Sequence, residues 1–193
     1  MTPARRLLAA ASLLLVAACS TNDGRTMKEP GAGQSESIAI APTTVAGDPA
    51  FTVTPPWAEG AAIDPRHTCD DMNVSPAVSW ANQPEGTASF AVILTDLDSP
   101  EYAHWTVANI DATSTGISEG SAGDLAVVAM NSDAKPDYSG PCPPEGETHR
   151  YSLSVYAVSQ VLEAQTGDGA PSLRAAIEAA ALEVATTEFT YSR

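Results

Sequence analysis

The chain has 193 residues, nine of them basic and 24 acidic, for a formal charge of −15. A surplus of that sign repels nucleic acid and anionic lipid surfaces at long range, which excludes a nucleic-acid partner. Any anion site must therefore be a local concentration of donors within an acidic surface.

The chain opens "MTPARRLLAAASLLLVAACS", with Arg5 and Arg6 ahead of an apolar run from Leu7 to Ala18. That pattern is a secretory signal, and the run is too short to span a membrane. It ends "LVAAC", which resembles the lipobox of bacterial lipoproteins, so residues 1–18 are expected to be removed and Cys19 lipidated. The competing expectation is ordinary signal-peptidase cleavage after Ala18, since Val16 and Ala18 are small enough for it. Two or more acyl chains would anchor the protein stably to a membrane without inserting it. Loss of Arg5 and Arg6 leaves seven basic residues against 24 acidic ones, a charge of −17. Residues 19–48 are rich in Gly, Ser, Thr, Ala and Pro and nearly devoid of large apolar residues, so they are expected to be a tether. The folded domain is placed at 49–193, with its core starting near Phe51, and its length suits one domain.

Beyond Phe51, short apolar runs alternate with turn residues. "SFAVILTD" (Ser89 to Asp96) is almost continuously apolar and β-branched, which predicts a central strand buried on both faces. "HWTVANI" (His104 to Ile110) and "LAVVAM" (Leu125 to Met130) predict two more strands. "RYSLSVYAVS" (Arg150 to Ser159) alternates, placing Tyr151, Leu153, Val155 and Ala157 on one face. "PSLRAAIEAAALEVA" predicts a helix with Leu173, Ile177, Ala180 and Val184 on its apolar side. "TTEFTY" (Thr186 to Tyr191) returns to strand character. The pattern is that of a mainly β protein built on antiparallel sheet. Trp80 and Trp105 are expected in the core, and His67 in a loop away from any site.

Cys69 and Cys142 are the remaining cysteines. In an exported protein they are expected to pair, closing a loop of about seventy residues and contributing roughly 4 kcal/mol. Two buried inert thiols, or one functional thiol, are the alternatives.

Two segments concentrate chemistry: "TDLDSP" (Thr95 to Pro100), at the end of the most apolar strand, and "ETHRY" (Glu147 to Tyr151), at the start of the alternating one. In antiparallel neighbours the end of one strand meets the start of the next, so Asp96 and Asp98 can share a sheet edge with His104 and His149. Four readings of that cluster stand side by side. It is an anion site of imidazoles and loop N–H groups, a metal site of two His and two Asp, a hydrolase using Cys142 or a serine with His149, or a set of polar residues ending strands. No zinc-ligand spacing, phosphate loop or nucleophile elbow accompanies it, and neither a metal nor a cofactor is expected.

The ordered set "HTCDDMNVSPAVSWANQPEGTASFAVILTDLDSP", "HWTVANI" and "SGPCPPEGETHRYSLSVYA" resembles the phosphatidylethanolamine-binding protein family, in its bacterial Raf-kinase-inhibitor-like branch. The likeness runs from about Val53 to Arg193. It implies two antiparallel sheets with a few short peripheral helices, one near the C-terminus, and a small pocket for phosphate, acetate or phosphorylated head groups. The pocket residues it implies are Asp96, Asp98, His104, Gly140, Pro141, His149 and Tyr151. Arg150 matches the hallmark arginine, either as a pocket cation or as a salt-bridge partner. Leu97, Glu147 and Asp71 stand where the family has proline, glycine and glycine, and the two acids add negative charge near the proposed pocket.

The function expected is thus a membrane-tethered, non-enzymatic binding protein of the bacterial cell envelope, outside the cytoplasm. Its partner would be a phosphate-like or phospholipid head-group ligand, with the membrane engaged through the N-terminal lipid. The alternative is an interaction or inhibitor module acting on an exported protease.

Overall fold

The computed structural model describes residues 49–193. The leader expected at 1–18, the lipidation expected at Cys19 and the tether expected at 19–48 lie outside the described residues, and among the described residues no helix is long and apolar enough to cross a membrane.

Among the described residues, eight strands form two antiparallel sheets. The smaller holds β1 (Thr52–Thr54), β2 (Val78–Ala81) and β5 (Gly116–Ile117) in the order β1-β2-β5. The larger holds β3 (Ser89–Asp96), β4 (Ala103–Asp111), β6 (Val127–Val128), β7 (Thr148–Val158) and β8 (Ala181–Ser192), in the order β6-β4-β3-β7-β8. One helix, α1 (Ala170–Ala180), and a single 3-10 turn at Pro65–His67 complete the elements.

The apolar runs account for the layering. β3 is central because both its faces are covered. Phe90, Val92 and Leu94 join Trp80, Trp105, Leu153, Val155 and Phe189 between the sheets, while Ala91 and Ile93 pack under Leu173 and Ile177 of α1. Each fully buried Val, Leu or Ile contributes about 1.5–3 kcal/mol, so the run Phe90–Leu94 is a major anchor of the fold. The alternation expected in β7 holds: Tyr151, Leu153, Val155 and Ala157 are buried and the intervening residues through Tyr156 are not.

Two elements differ from expectation. The helix expected through Val184 and Ala185 ends at Ala180, and Ala181 onward belongs to β8. Pairing decides this: Ala181, Glu183 and Val184 face Val158, Ala157 and Tyr156 of β7, and these ladder bonds outweigh the weak helix preference of a few alanines. Val184, expected on a packed helix face, is 51% exposed. The strand expected over 125–130 shrinks to Val127–Val128, because the chain on either side leaves the ladder, Met130 making a lone parallel bridge to Gly169.

Cys69 and Cys142 are joined in a disulfide with Cα atoms 5.4 Å apart, linking the loop after the 3-10 turn to the proline-rich loop before β7. Gly140 lies in that second loop, where a Cβ would sit 2.3 Å from the His67 carbonyl oxygen and 2.6 Å from Asn73 Oδ1. Only glycine allows the two loops to approach so closely.

Candidate functional site

Three strand ends converge at one edge of the larger sheet. β3 ends at Asp96, which pairs with Tyr151 near the start of β7, and β4 begins beside Thr95. Register shifts by one residue between the pairs Leu94–Trp105 and Thr95–Ala103, so His104 is the extra residue of a β-bulge. His104 and Trp105, successive in sequence, are both buried. Asp96, Ser99, Tyr102, His104, Cys142, Pro144 and His149 line a cavity of about 280 Å³ there.

Asp96, 4% exposed, organises this edge. Its Oδ1 accepts the backbone N–H groups of Asp98 (2.9 Å) and Ser99 (3.1 Å), folding the turn after β3, and its Oδ2 accepts from Nδ1 of His149 at 2.7 Å. The bond to Asp96 pushes the His149 pKa up, against the opposing effect of burial, and Glu147 adds to the rise. The second nitrogen of His149, Nε2, meets Glu147 Oε2 at 3.3 Å. His149 thus sits between two carboxylates, both of which favour its protonated form.

His104 is the opposite case. It is 3% exposed, and burial pushes its pKa down, although its Nδ1 donates to the Ser139 carbonyl at 2.8 Å. The neutral ring therefore carries its proton on Nδ1 and leaves the Nε2 lone pair uncommitted. Tyr102 packs on that ring with centroids 4.5 Å apart, and its hydroxyl donates to Asp133 Oδ1 at 2.7 Å. Ser139 Oγ donates to the other oxygen of Asp133 at 2.7 Å, so Asp133 fixes both the tyrosine and the loop that orients His104.

The remaining expected residues support this cavity without lining it. Asp98 Oδ2 accepts the backbone N–H of Arg150 at 2.8 Å, and that bond is the main reason its pKa is lowered. Arg150, which alternation turns away from His149 and Tyr151, has an exposed guanidinium 3.6 Å from Asp98. That contact is the salt-bridge geometry, and Arg150 is not among the residues that line the cavity. Gly140 donates its N–H to Asn73, and the Pro141 carbonyl accepts from Cys69 N, bonds that tie the two loops together. Tyr151 is fully buried beneath the site, stacked on Phe189 and edge-on to His104. His67 is buried at the 3-10 turn with Nδ1 against the Val74 carbonyl, away from the cavity.

The departures from the family pattern have visible consequences. Leu97 donates its N–H to the Arg150 carbonyl at 2.8 Å, a bond that proline could not make. The glycine demanded by the turn before β7 is Gly146, at φ +83°, which leaves Glu147 able to carry a side chain. Asp71 is exposed in the loop beyond the disulfide. Sequence reading missed Ser99, Tyr102, Pro144 and Asp133. Tyr102 stands two residues before His104, a spacing that could have marked it. Asp133 belongs to an irregular loop and carries no such signal.

Comparison with known proteins places this geometry in a lineage. The family described as phosphatidylethanolamine-binding protein matches residues 53–192. A UPF0098 protein of Chlamydia pneumoniae is 33% identical over 148 residues, covering 73% of this chain and 97% of its own length. A Mycobacterium tuberculosis protein named as a candidate lipoprotein, LppC, is 31% identical over 170 residues and 84% of each chain. The crystal structure of Escherichia coli YbcL superposes with a TM-score of 0.69 at 28% identity, over 74% of this chain and 98% of that one. A structure titled as a homologue of the same family, from Chlamydia trachomatis, gives 0.68 at 27% identity, over 75% and 98%. With the family pattern spanning both sheets and all three strand ends of the cavity, the chain belongs to the phosphatidylethanolamine-binding protein family.

Proposed function

We propose that the cavity binds a small phosphorylated or carboxylated group, such as a phospholipid head group, and that the protein binds this ligand without transforming it. One observation carries the reading: two histidines, one whose protonated form is disfavoured by burial and one whose protonated form is favoured by Asp96, line one cavity of about 280 Å³, near the lower end of ligand-pocket sizes. His104 offers Nε2 to the ligand and can donate from it only by taking up a proton. The bond to Asp96 favours the form of His149 that carries both protons, which offers a ligand an N–H rather than a lone pair and supports a binding role over that of a general base.

Anion affinity then depends on pH with a definite sign. The pKa of empty His104 is held below the usual histidine value by burial, and a bound anion raises it. Affinity is highest below the empty-site pKa and falls as pH rises from there to the pKa of the complex. The test is a titration with inorganic phosphate, following the ring signals of both histidines by NMR at several pH values. Saturating phosphate that leaves both rings unmoved sinks the reading.

The resemblance of "LVAAC" to a lipobox, together with the lipoprotein name of the Mycobacterium tuberculosis relative, supports tethering at the cell envelope through Cys19. Metabolic labelling with a palmitate analogue checks it, with label expected on the native chain and lost in Cys19→Ala.

A further inference from the structure

We propose that the Cys69–Cys142 disulfide is a redox switch on this pocket: a dithiol reduces it from the cavity mouth, and the reduced protein binds anions more weakly. The inference rests on the binding reading above and adds a means of regulating that site.

The first support is access. Cys142 is exposed and lines the cavity, while Cys69, in the loop after the 3-10 turn, is half-buried. Thiol–disulfide exchange needs a thiolate to reach a sulfur atom, so a bridge with one half open to solvent is of the reducible kind.

The second is charge. Arg193 brings Nη1 to 3.7 Å from Cys142 Sγ, and its Nε is bound to Asp70 at 3.0 Å. A cation beside a sulfur favours its thiolate. The other charged groups facing it are Asp70 through that pair and Asp96, Glu147 and His149 at the cavity, and Arg193 is the one in contact. In the exchange, a thiolate of the dithiol attacks Cys142 Sγ, the protein S–S bond breaks and Cys69 leaves as a thiolate. The second sulfur of the dithiol, deprotonated, then attacks its partner sulfur in the mixed disulfide and releases Cys142 as a thiolate beside Arg193. Two electrons pass to the protein, the dithiol becomes a disulfide, and its two protons go to the cysteines or to solvent.

The third is coupling to the site. The disulfide fastens the loop at 138–142 to the loop at 67–73, alongside bonds from Tyr138 Oη to the His67 carbonyl at 2.7 Å, from Gly140 N to Asn73 Oδ1 at 2.8 Å and from Cys69 N to the Pro141 carbonyl at 3.2 Å. That first loop also carries the Ser139 carbonyl to which His104 donates. Reduction removes the covalent link of the set. Pro141 and Pro143 fix the backbone on both sides of Cys142, so its sulfur stays in the cavity wall when the bridge opens. An ionisable thiol then stands where a neutral disulfide stood. One thiolate charge on the wall of a small, half-solvated cavity weakens anion binding by about three- to tenfold.

The experiment compares the detergent-solubilised full chain before and after dithiothreitol treatment without denaturant, at about pH 8, where a thiol beside a cation is largely ionised. Alkylation located by mass spectrometry reads the state of Cys69 and Cys142, calorimetry reads the affinity for inorganic phosphate, and NMR follows the histidine rings on the same samples. Both cysteines are expected to be alkylated only after reduction. Phosphate is expected to bind the reduced chain about three- to tenfold more weakly, with the loss reversed on reoxidation. The Cys69→Ser/Cys142→Ser variant lacks the bridge and cannot ionise there, so the reduced native chain should bind phosphate more weakly than this variant does. A disulfide that resists dithiothreitol until denaturant is added, or equal phosphate affinities before and after reduction, overturns the switch while the pocket reading stands. Equal affinities in the reduced chain and the variant overturn the thiolate as its cause. If phosphate moves neither histidine in the oxidised chain, the pocket reading falls and the switch with it, whatever alkylation shows.

Discussion

Replacing Asp96 by Asn tests the electrostatics of the site in isolation from ligand. The carboxylate accepts three hydrogen bonds, two from the turn amides of Asp98 and Ser99 and one from His149. Asparagine keeps an oxygen for the two amides, so the turn survives. Its amide nitrogen would face Nδ1 of His149, which can accept once the ring is neutral with its proton on Nε2. The loss is therefore the ionic part of one buried bond: about 2 kcal/mol where His149 is charged and about 1 kcal/mol where it is neutral. The sign with pH follows from the raised folded-state pKa of His149. Its stabilisation is complete below the unfolded value near 6.5 and disappears as pH rises through the folded value. Urea denaturation of both proteins at about pH 6 and about pH 9 should show the larger deficit at the lower pH, equivalent there to a Tm fall of about 4–8 °C. A deficit equal at both pH values, or larger at the higher one, would refute the reasoning that an imidazolium pairs with Asp96.

Three further substitutions probe the frame around the cavity. Gly140→Ala puts a methyl group against the His67 carbonyl and Asn73, neither of which can retreat without moving its loop, so a loss of about 1–3 kcal/mol is expected in urea denaturation. Its histidine spectrum should also show a weakened His104–Ser139 bond, because Ser139 precedes the displaced residue. Replacing Cys69 and Cys142 together by serine opens a loop whose ends are 73 positions apart and should cost about 2–5 kcal/mol in thermal denaturation, with a negligible change contradicting a structural role. Leu97→Pro, which restores the family's residue, removes the N–H bonded to Arg150 and should destabilise by about 1 kcal/mol, whereas a gain would show that backbone stiffening outweighs the bond.

How much of this was legible in the sequence varies with the length and regularity of each element. β3 has the bounds read from its apolar run, and β7 shows the alternation seen from Tyr151 to Ala157, because long strands packed on a core must display their faces. β1, β2 and β5 are two to four residues long, too short for a period to register. The helix was overextended for another reason. "AAALEVA" satisfies a helical period as well as a strand, and the pairing of β8 with β7 decided between them.

By itself the sequence determined which chemistry the site can have: two histidines and two aspartates placed at the ends of strands that antiparallel pairing brings together. It also determined much of the core that holds those ends, since strict alternation, and short β-branched apolar runs bounded by turn residues, suit strands buried on one or both faces. Tertiary structure alone decided what each polar group does. A one-residue bulge aims His104, the Ser139 carbonyl chooses its protonated nitrogen, and Asp96 and Glu147 each take one nitrogen of His149. Those outcomes depend on groups 35 and 53 positions apart meeting within 2.8 Å, which strand-end proximity allows but residue identity does not specify.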